Sequence, residues 1–293
     1  MNALLKTSGF IAFISMVFLN AFVDLGHKII IQNTVFKIYD GSTQVILTAI
    51  INGLILLPFI LMFTPSGFLA DRFKKPIIMK WAALVAVVLT LIITASYYFG
   101  WFELAFAMTF MLAVQSAFYS PAKYGYIREI AGKHNLVSAN SFVQSTTIIA
   151  ILLGMFVFSI LFEHTLANSL FNSEKDIIQI IAPIGWLLVL GSLIELYFAF
   201  KLPSLEPEKS SEIFNWSQYR TGKALHSNIK LIRSDSVIWL SIIGLSVFWG
   251  VSQVVLATFP AFAKEVLSVE NTIVIQGLLA CSGVGIVLGS LFA

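Results

Sequence analysis

Polar residues interrupt this chain only at wide intervals. Between them run apolar stretches at 9–33, 44–70, 77–99, 101–124, 136–162, 177–200, 237–262 and 273–293. A helix needs about 20 apolar residues to cross a bilayer, so each of these stretches predicts a membrane-spanning helix. The expected fold is an all-α integral membrane protein. The first stretch is long, lacks a small-residue cleavage site and precedes further spans, which predicts a retained helix rather than a signal peptide. The last stops at Ala293 inside its apolar run with no flanking charge, so the natural chain is expected to continue.

The spacing divides the chain. Residues 1–200 predict a six-helix bundle, 201–236 a connecting loop, and 237–293 the first two helices of a second bundle. Pro203 and Pro207 open the loop. Its stretch 213–233 mixes Trp216, Leu225, Ile229 and Ile232 with Arg220, Lys223, Lys230 and Arg233. That mixture suits either a helix lying on the inner leaflet, where anionic lipid attracts cations, or a solvated linker. Six spans, a long basic loop and more spans is the layout of a two-bundle transporter.

Composition agrees. Of 293 residues, 58% are hydrophobic and 11% charged, against roughly 25% charged in a soluble domain. The net charge of +3 is distributed by topology rather than gathered in a patch, and nucleic acid is not an expected partner. With the N-terminus placed in the cytoplasm, most of the 18 Lys and Arg residues fall on the cytoplasmic side, leaving Lys37, Lys175 and Lys264 outside. The single cysteine, Cys281, gives no disulfide framework. The histidines His27, His134, His164 and His226 are scattered over different segments. No metal, no cofactor and no catalysis within this chain is expected.

Within the spans, polar residues are costly and therefore informative. The first span carries Asn20, Asp24, His27 and Lys28 on one helical face. Asp24 and Lys28, four apart, can neutralise each other as a structural pair; with Asn20 and His27 they can instead line a substrate path. The fourth span ends in Ser120, Pro121, Lys123 and Tyr124, followed by an expected basic loop with Arg128 and Lys133. Lys123 can snorkel to the lipid surface or meet an anion. The fifth span presents Asn140, Gln144 and Thr147 on one face. Gln253 is a further polar group in the seventh. Glu195, near the inner end of the sixth, is expected to snorkel. Gly283, Gly285 and Gly289 predict tight helix packing in the eighth.

The loop Gly67-Phe68-Leu69-Ala70-Asp71-Arg72-Phe73-Lys74-Lys75 resembles the Gly-x-Leu-Ala-Asp-Arg-x-Gly-Arg-Lys loop of the major facilitator superfamily, with Lys74 at its second glycine and Pro76 where a base is usual. Gly67 there permits close helix approach, and Asp71 accepts hydrogen bonds at a neighbouring helix N-terminus. The segment Tyr119-Ser120-Pro121-Ala122-Lys123-Tyr124-Gly125 is similar to YSPAKYG of the bacterial lysophospholipid transporter family. So are Leu136-Val137-Ser138-Ala139-Asn140, Ile148 to Gly154, Phe22-Val23-Asp24 and Val247-Phe248-Trp249-Gly250. Leu25 replaces an asparagine usual in the family, and Leu256 stands where some members carry an arginine.

The resemblance implies about twelve spans and inward transport of a lysophospholipid, such as lysophosphatidylethanolamine, across the bacterial inner membrane. Partners are the lipid substrate, membrane lipid, and a fused or separate acyltransferase and acyl-carrier-protein ligase that re-acylate it. Candidate substrate-binding residues are Asp24, His27, Lys28, Lys123, Tyr124, Asn140, Gln144 and Gln253; the candidate gating loop is Gly67, Asp71 and Arg72. Phe22, Phe118 and Phe142 are expected to wall the acyl chain. The rivals are the membrane module of a fused acyltransferase, a drug/proton antiporter of the same fold, whose glycine- and proline-rich fifth span this chain lacks, and a passive scramblase.

Overall fold

The computed structural model describes residues 2–204, 217, 219 and 221–281. The helices that matter are α1 (Phe10–Ile38), α2 (Gly41–Leu61), α3 (Phe63–Arg72), α4 (Lys75–Phe99), α5 (Phe102–Ala131), α6 (Leu136–Leu166), α7 (Glu174–Ile180), α8 (Gly185–Phe200), α9 (Lys223–Arg233), α10 (Ser236–Glu265) and α11 (Thr272–Cys281). Seven helical segments among the described residues are long and apolar enough to span a membrane. Without water in the bilayer core, every backbone N–H and C=O must bond within its own helix, which is why the long apolar runs are helical throughout.

Three expected boundaries move. The second span breaks at Met62, four residues after Pro58, giving α2 and α3. The sixth is preceded by α7, whose Ser173 and Asp176 form a reciprocal N-terminal cap. A 3-10 turn, Ala182–Ile184, containing Pro183, then leads into α8. The fourth does not yield to a basic loop after Tyr124. Helix α5 continues through Pro121 to Ala131, so Arg128 is helical. Of the connecting segment, α9 forms the expected amphipathic helix, with Leu225 and Ile229 exposed among its bases. Trp216 and Arg220, and the glycines 283, 285 and 289, lie outside the described residues.

Helix α1 is the spine of the first bundle. It packs along α6 and α8, touches α5 and α2, and buries Phe13, Met16, Val23, Ile30 and Val35. Two apolar cores flank its polar middle: one around Ile30, Tyr97, Phe158 and Phe162, the other around Phe13, Met79, Tyr126 and Val143. Gly26 lets α6 approach closely, because a Cβ there would overlap the Phe158 ring. We expect Gly26→Ala to destabilise the bundle by about 1–3 kcal/mol, the usual range for overpacking a core. The check is a lowered thermal midpoint in detergent; an unchanged midpoint would mean that Phe158 swings aside freely.

The chain ends of the helices segregate. One end, the basic end, gathers Asp71, Lys75, Lys123 and Glu129, with Lys75 paired to Glu129 at 2.5 Å. At the opposite end, α10 and α11 are tied to the first bundle. Glu163 of α6 binds Lys37 of α1 at 2.9 Å and accepts the backbone N–H of Thr272, the first residue of α11, at 2.6 Å. Lys264 of α10 donates to the carbonyls of Phe36 and Tyr39 at the end of α1, 3.0 and 3.3 Å away, and pairs with Asp40. Helix α6 thus caps the N-terminus of α11 with a carboxylate, and α10 caps the C-terminus of α1 with an ammonium, both favoured by the helix dipole. Phe36, Ala263, Ile275 and Leu279 form an apolar cluster beneath these caps.

Candidate substrate cavity between helices 1, 2, 5 and 6

The polar stripe of α1 advances four residues at a time: Asn20, Asp24, Lys28 and Gln32. Asn20 stands beside Glu195 of α8. Asp24 accepts a hydrogen bond from Ser116 of α5. Gln32 donates to Asn52 of α2 at 3.3 Å. Lys28 lines two adjoining cavities. The first, about 220 Å³, also carries Asp24, Ser116 and Thr109; the second, about 360 Å³, carries Gln32, Asn33, Thr48, Trp249, Thr272 and Gln276. Leu25, Lys28 and Ile151 belong to both, so the two cavities adjoin across α1.

Several expectations are corrected here. Asp24 and Lys28 do not pair; Asp24 turns to Ser116 and leaves Lys28 without a counter-ion among the described residues. His27 is fully buried and spent. Its Nε2 lies 3.0 Å from the Ala105 carbonyl, which can only accept, so Nε2 carries the hydrogen and Nδ1 accepts from the Tyr97 hydroxyl at 2.7 Å. His27 therefore ties α1 to α4 and α5 through both ring nitrogens, and its side chain also lines the smaller cavity. Glu195 does not snorkel: it is wholly buried, because the face of α8 that carries it packs on α1. The three phenylalanines do not form one wall. Phe22 packs on Phe158 and Phe142 on Phe10, while Phe118 lines a separate apolar cavity.

The other candidates spread along the basic half. Lys123 lies over the rings of Tyr119 and Tyr124, 5.8 and 4.6 Å from their centroids, and acts electrostatically on Asp24. Tyr124 is half exposed. Asn140 and Gln144 are exposed on α6, and Gln253 is half-buried on α10; none of the three lines the paired cavities. In the candidate gating loop, Asp71 and Arg72 are exposed at the end of α3, with Arg72 over the Phe68 ring at 5.7 Å. A Cβ at Gly67 would meet nothing within 4 Å, so no close helix approach occurs there among the described residues.

Sequence reasoning stopped the stripe one step short. The same four-residue spacing continues to Gln32, and the run Gln32, Asn33, Thr34 was visible at the span's edge. Asn33 donates to Ser159 at 3.2 Å and accepts from Gln276 of α11 at 3.4 Å, joining three helices. A further cavity, about 570 Å³ between α3, α4 and α5, is a different kind of space. Its lining is apolar except for Gln115, whose amide is spent on the Ala82 carbonyl and Ser116.

Chemically, the arrangement combines an ammonium and a carboxylate facing one small cavity without pairing, an extended polar crevice, and helix caps that join α10 and α11 to α1 and α6 at the end opposite the basic one. Against known families, residues 7–293 match the Major Facilitator Superfamily. The chain belongs to that superfamily. Among individual relatives of this superfamily, it is similar to the lysophospholipid transporter LplT of Enterobacter sp. (strain 638), 28% identical over 99% of the chain. The LplT proteins of Klebsiella pneumoniae (strain 342) and Serratia proteamaculans (strain 568) are each 27% identical, over 99% and 87% of the chain. The chain spans 66%, 66% and 57% of the length of these three relatives. Helix α10 packs on α2, and α11 is bonded to α1 and α6, while most of α10 is uncovered.

Proposed function

We propose that the protein carries a lysophospholipid inward across a bacterial inner membrane, with the basic end in the cytoplasm. The observation that carries this reading is the placement of opposite charges on one cavity wall: Lys28 and Asp24, both on α1, line the same 220 Å³ space without pairing. A zwitterionic head group needs both. Its phosphate is met by Lys28, with Lys123 nearer the basic end, and its ammonium by Asp24. Buried charges left unpaired in a membrane interior are costly, and a zwitterion satisfies both at once.

The names of the three relatives support the substrate class. The apolar cavity beside Phe118 and Trp81 suits the single acyl chain, since it opens among membrane-facing side chains and carries no charge. Delivery inward hands the lipid to an acyltransferase, fused or separate, for re-acylation. Asp71 and Arg72 belong to the gate of the basic end in this reading.

The test is uptake of labelled lysophosphatidylethanolamine by cells lacking their own transporter and expressing the gene. Lys28→Ala is expected to lower uptake at least about tenfold, because a charge-assisted phosphate contact is worth about 1.5–3 kcal/mol. Wild-type uptake indistinguishable from empty cells, with the protein correctly inserted, would reject the substrate. Normal uptake by Lys28→Ala would keep the substrate and reject the phosphate assignment.

A further inference from the structure

The charges on the smaller cavity do not tell a lipid with one acyl chain from a lipid with two, because both carry the same head group. The larger cavity holds groups of another kind. Among its described lining residues Lys28 alone is charged, and Lys28 stands at the border with the smaller cavity. Beyond it the polar lining is neutral: Gln32 and Asn33 of α1, Thr48 of α2, Trp249 of α10, and Thr272 and Gln276 of α11. Asn33, Thr48, Thr272 and Gln276 are buried.

Their hydrogen bonds are half made. Gln32 donates its amide to Asn52 at 3.3 Å, and Gln276 donates its own to Asn33 at 3.4 Å. Each glutamine thereby turns its nitrogen to an asparagine, and neither carbonyl oxygen accepts a bond among the described residues. The Thr272 hydroxyl and the Asn52 Nδ2, both buried, are also without partners among the described residues. Buried polar groups nearly always find partners, so this wall is built for one. An amide carbonyl accepts and never donates, so the group that completes it must bring a hydrogen. An ester oxygen brings none and would face the carbonyls lone pair to lone pair. A hydroxyl donates to a carbonyl and accepts from the threonine beside it.

The position selects one hydroxyl. Each four-residue step along α1 rises about 6 Å, comparable with the separation of successive polar groups in a glycerophospholipid head. With the ammonium at Asp24 and the phosphate at Lys28, the glycerol falls at Gln32. A lysophospholipid has a free hydroxyl on that glycerol, and a diacyl lipid has a second ester in its place. We propose that Gln32, Thr272 and Gln276 form a site for the free glycerol hydroxyl, through which the protein accepts single-chain lipid and refuses the diacyl lipid around it. Asn52 and Asn33 are positioning residues that hold the two glutamines by their nitrogens. Thr272 is fixed in turn by Glu163, which takes its backbone N–H at 2.6 Å. The site is therefore complete only while α11 is docked on α1 and α6. It deepens the proposed transport function and rests on it.

The experiment compares two labelled lipids in the same cells: lysophosphatidylethanolamine, and its deoxy analogue with hydrogen in place of the glycerol hydroxyl. Both have one acyl chain and the same charges. The wild type is expected to take up the hydroxyl form at least about tenfold faster at limiting lipid, because a site built to hydrogen-bond a hydroxyl rejects the analogue that lacks it. Gln32→Met combined with Gln276→Met is expected to bring the ratio of the two rates close to one. Thr272→Val, which keeps the N–H held by Glu163, is expected to lower the ratio severalfold. General damage to the fold slows both lipids alike and leaves the ratio unchanged. Equal uptake of the two lipids by the wild type overturns the proposal while leaving the transport function standing, and so does a wild-type ratio in the double variant. Absence of any lysophosphatidylethanolamine uptake rejects both together. Should the double variant fail to insert, an unaltered ratio in Thr272→Val overturns the proposal equally.

Discussion

Asp24→Asn is expected to abolish lysophosphatidylethanolamine uptake while leaving the protein in the membrane at its normal level. The substitution keeps the size of the side chain and its ability to accept from Ser116, so α1 and α5 stay joined. It removes the only carboxylate lining the 220 Å³ cavity among the described residues. An ammonium head group would then enter a membrane-buried cavity that still holds Lys28 and no counter-charge. Loss of a charge-assisted contact is worth about 1.5–3 kcal/mol, or about ten- to a hundredfold in binding. Repulsion by the now uncompensated lysine adds to that, so uptake should fall below detection. Comparing uptake with the amount of protein in isolated membranes checks both halves of the statement. Full uptake would move the ammonium contact elsewhere, and loss of inserted protein would make Asp24 a folding residue instead.

The second large effect is expected at the opposite end of the molecule. Glu163→Ala combined with Lys264→Ala removes both inter-bundle caps at once. The double substitution breaks the Glu163 bonds to Lys37 and the Thr272 N–H, together with the Lys264 bonds to the end of α1 and to Asp40. These groups are partly exposed, which screens them, so each cap is placed at the lower end of the charge-assisted range, about 1.5 kcal/mol. Without either cap, the equilibrium between α10 and α11 docked on α1 and α6 and parted from them is expected to shift by roughly a hundredfold. Gln276, buried behind the caps on α11, is the reporter. In a Cys281→Ser background, Gln276→Cys should be labelled slowly by a membrane-impermeant maleimide with the caps intact and rapidly without them. Equal rates would assign the closure to the apolar cluster of Phe36, Ala263, Ile275 and Leu279.

Much of the fold was written in the hydropathy pattern, because the bilayer forces long apolar runs into helices and leaves few other choices. The α1 stripe was legible for the same reason: charges are scarce inside spans, and a spacing of four places them on one face. What the pattern could not convey is direction across the helix. Glu195 sits near a span end in sequence, which suggested an escape to the surface, yet its face of α8 is pressed against α1. His27 belongs to the stripe by spacing but is turned into Tyr97 and Ala105, on two other helices. The caps were invisible because they join residues far apart in sequence, such as Lys37, Glu163 and Thr272. The candidate gating loop was named from its motif alone; Asp71 is exposed at the end of α3.

The four-residue step along α1 has a geometric result of its own. At about 100° per residue, four residues overshoot a full turn by about 40°. From Asn20 to Gln32 the stripe therefore winds roughly 120° around the helix while rising about 18 Å. That is why Asn20 meets α8, Asp24 meets α5, and Gln32 meets α2. The polar stripe is a spiral stair around a single post. Under the proposed function, a head group passing from Gln32 to Asp24 would swivel by most of a quarter-turn, and its tail, held among lipid, would sweep sideways past neighbouring helices to follow.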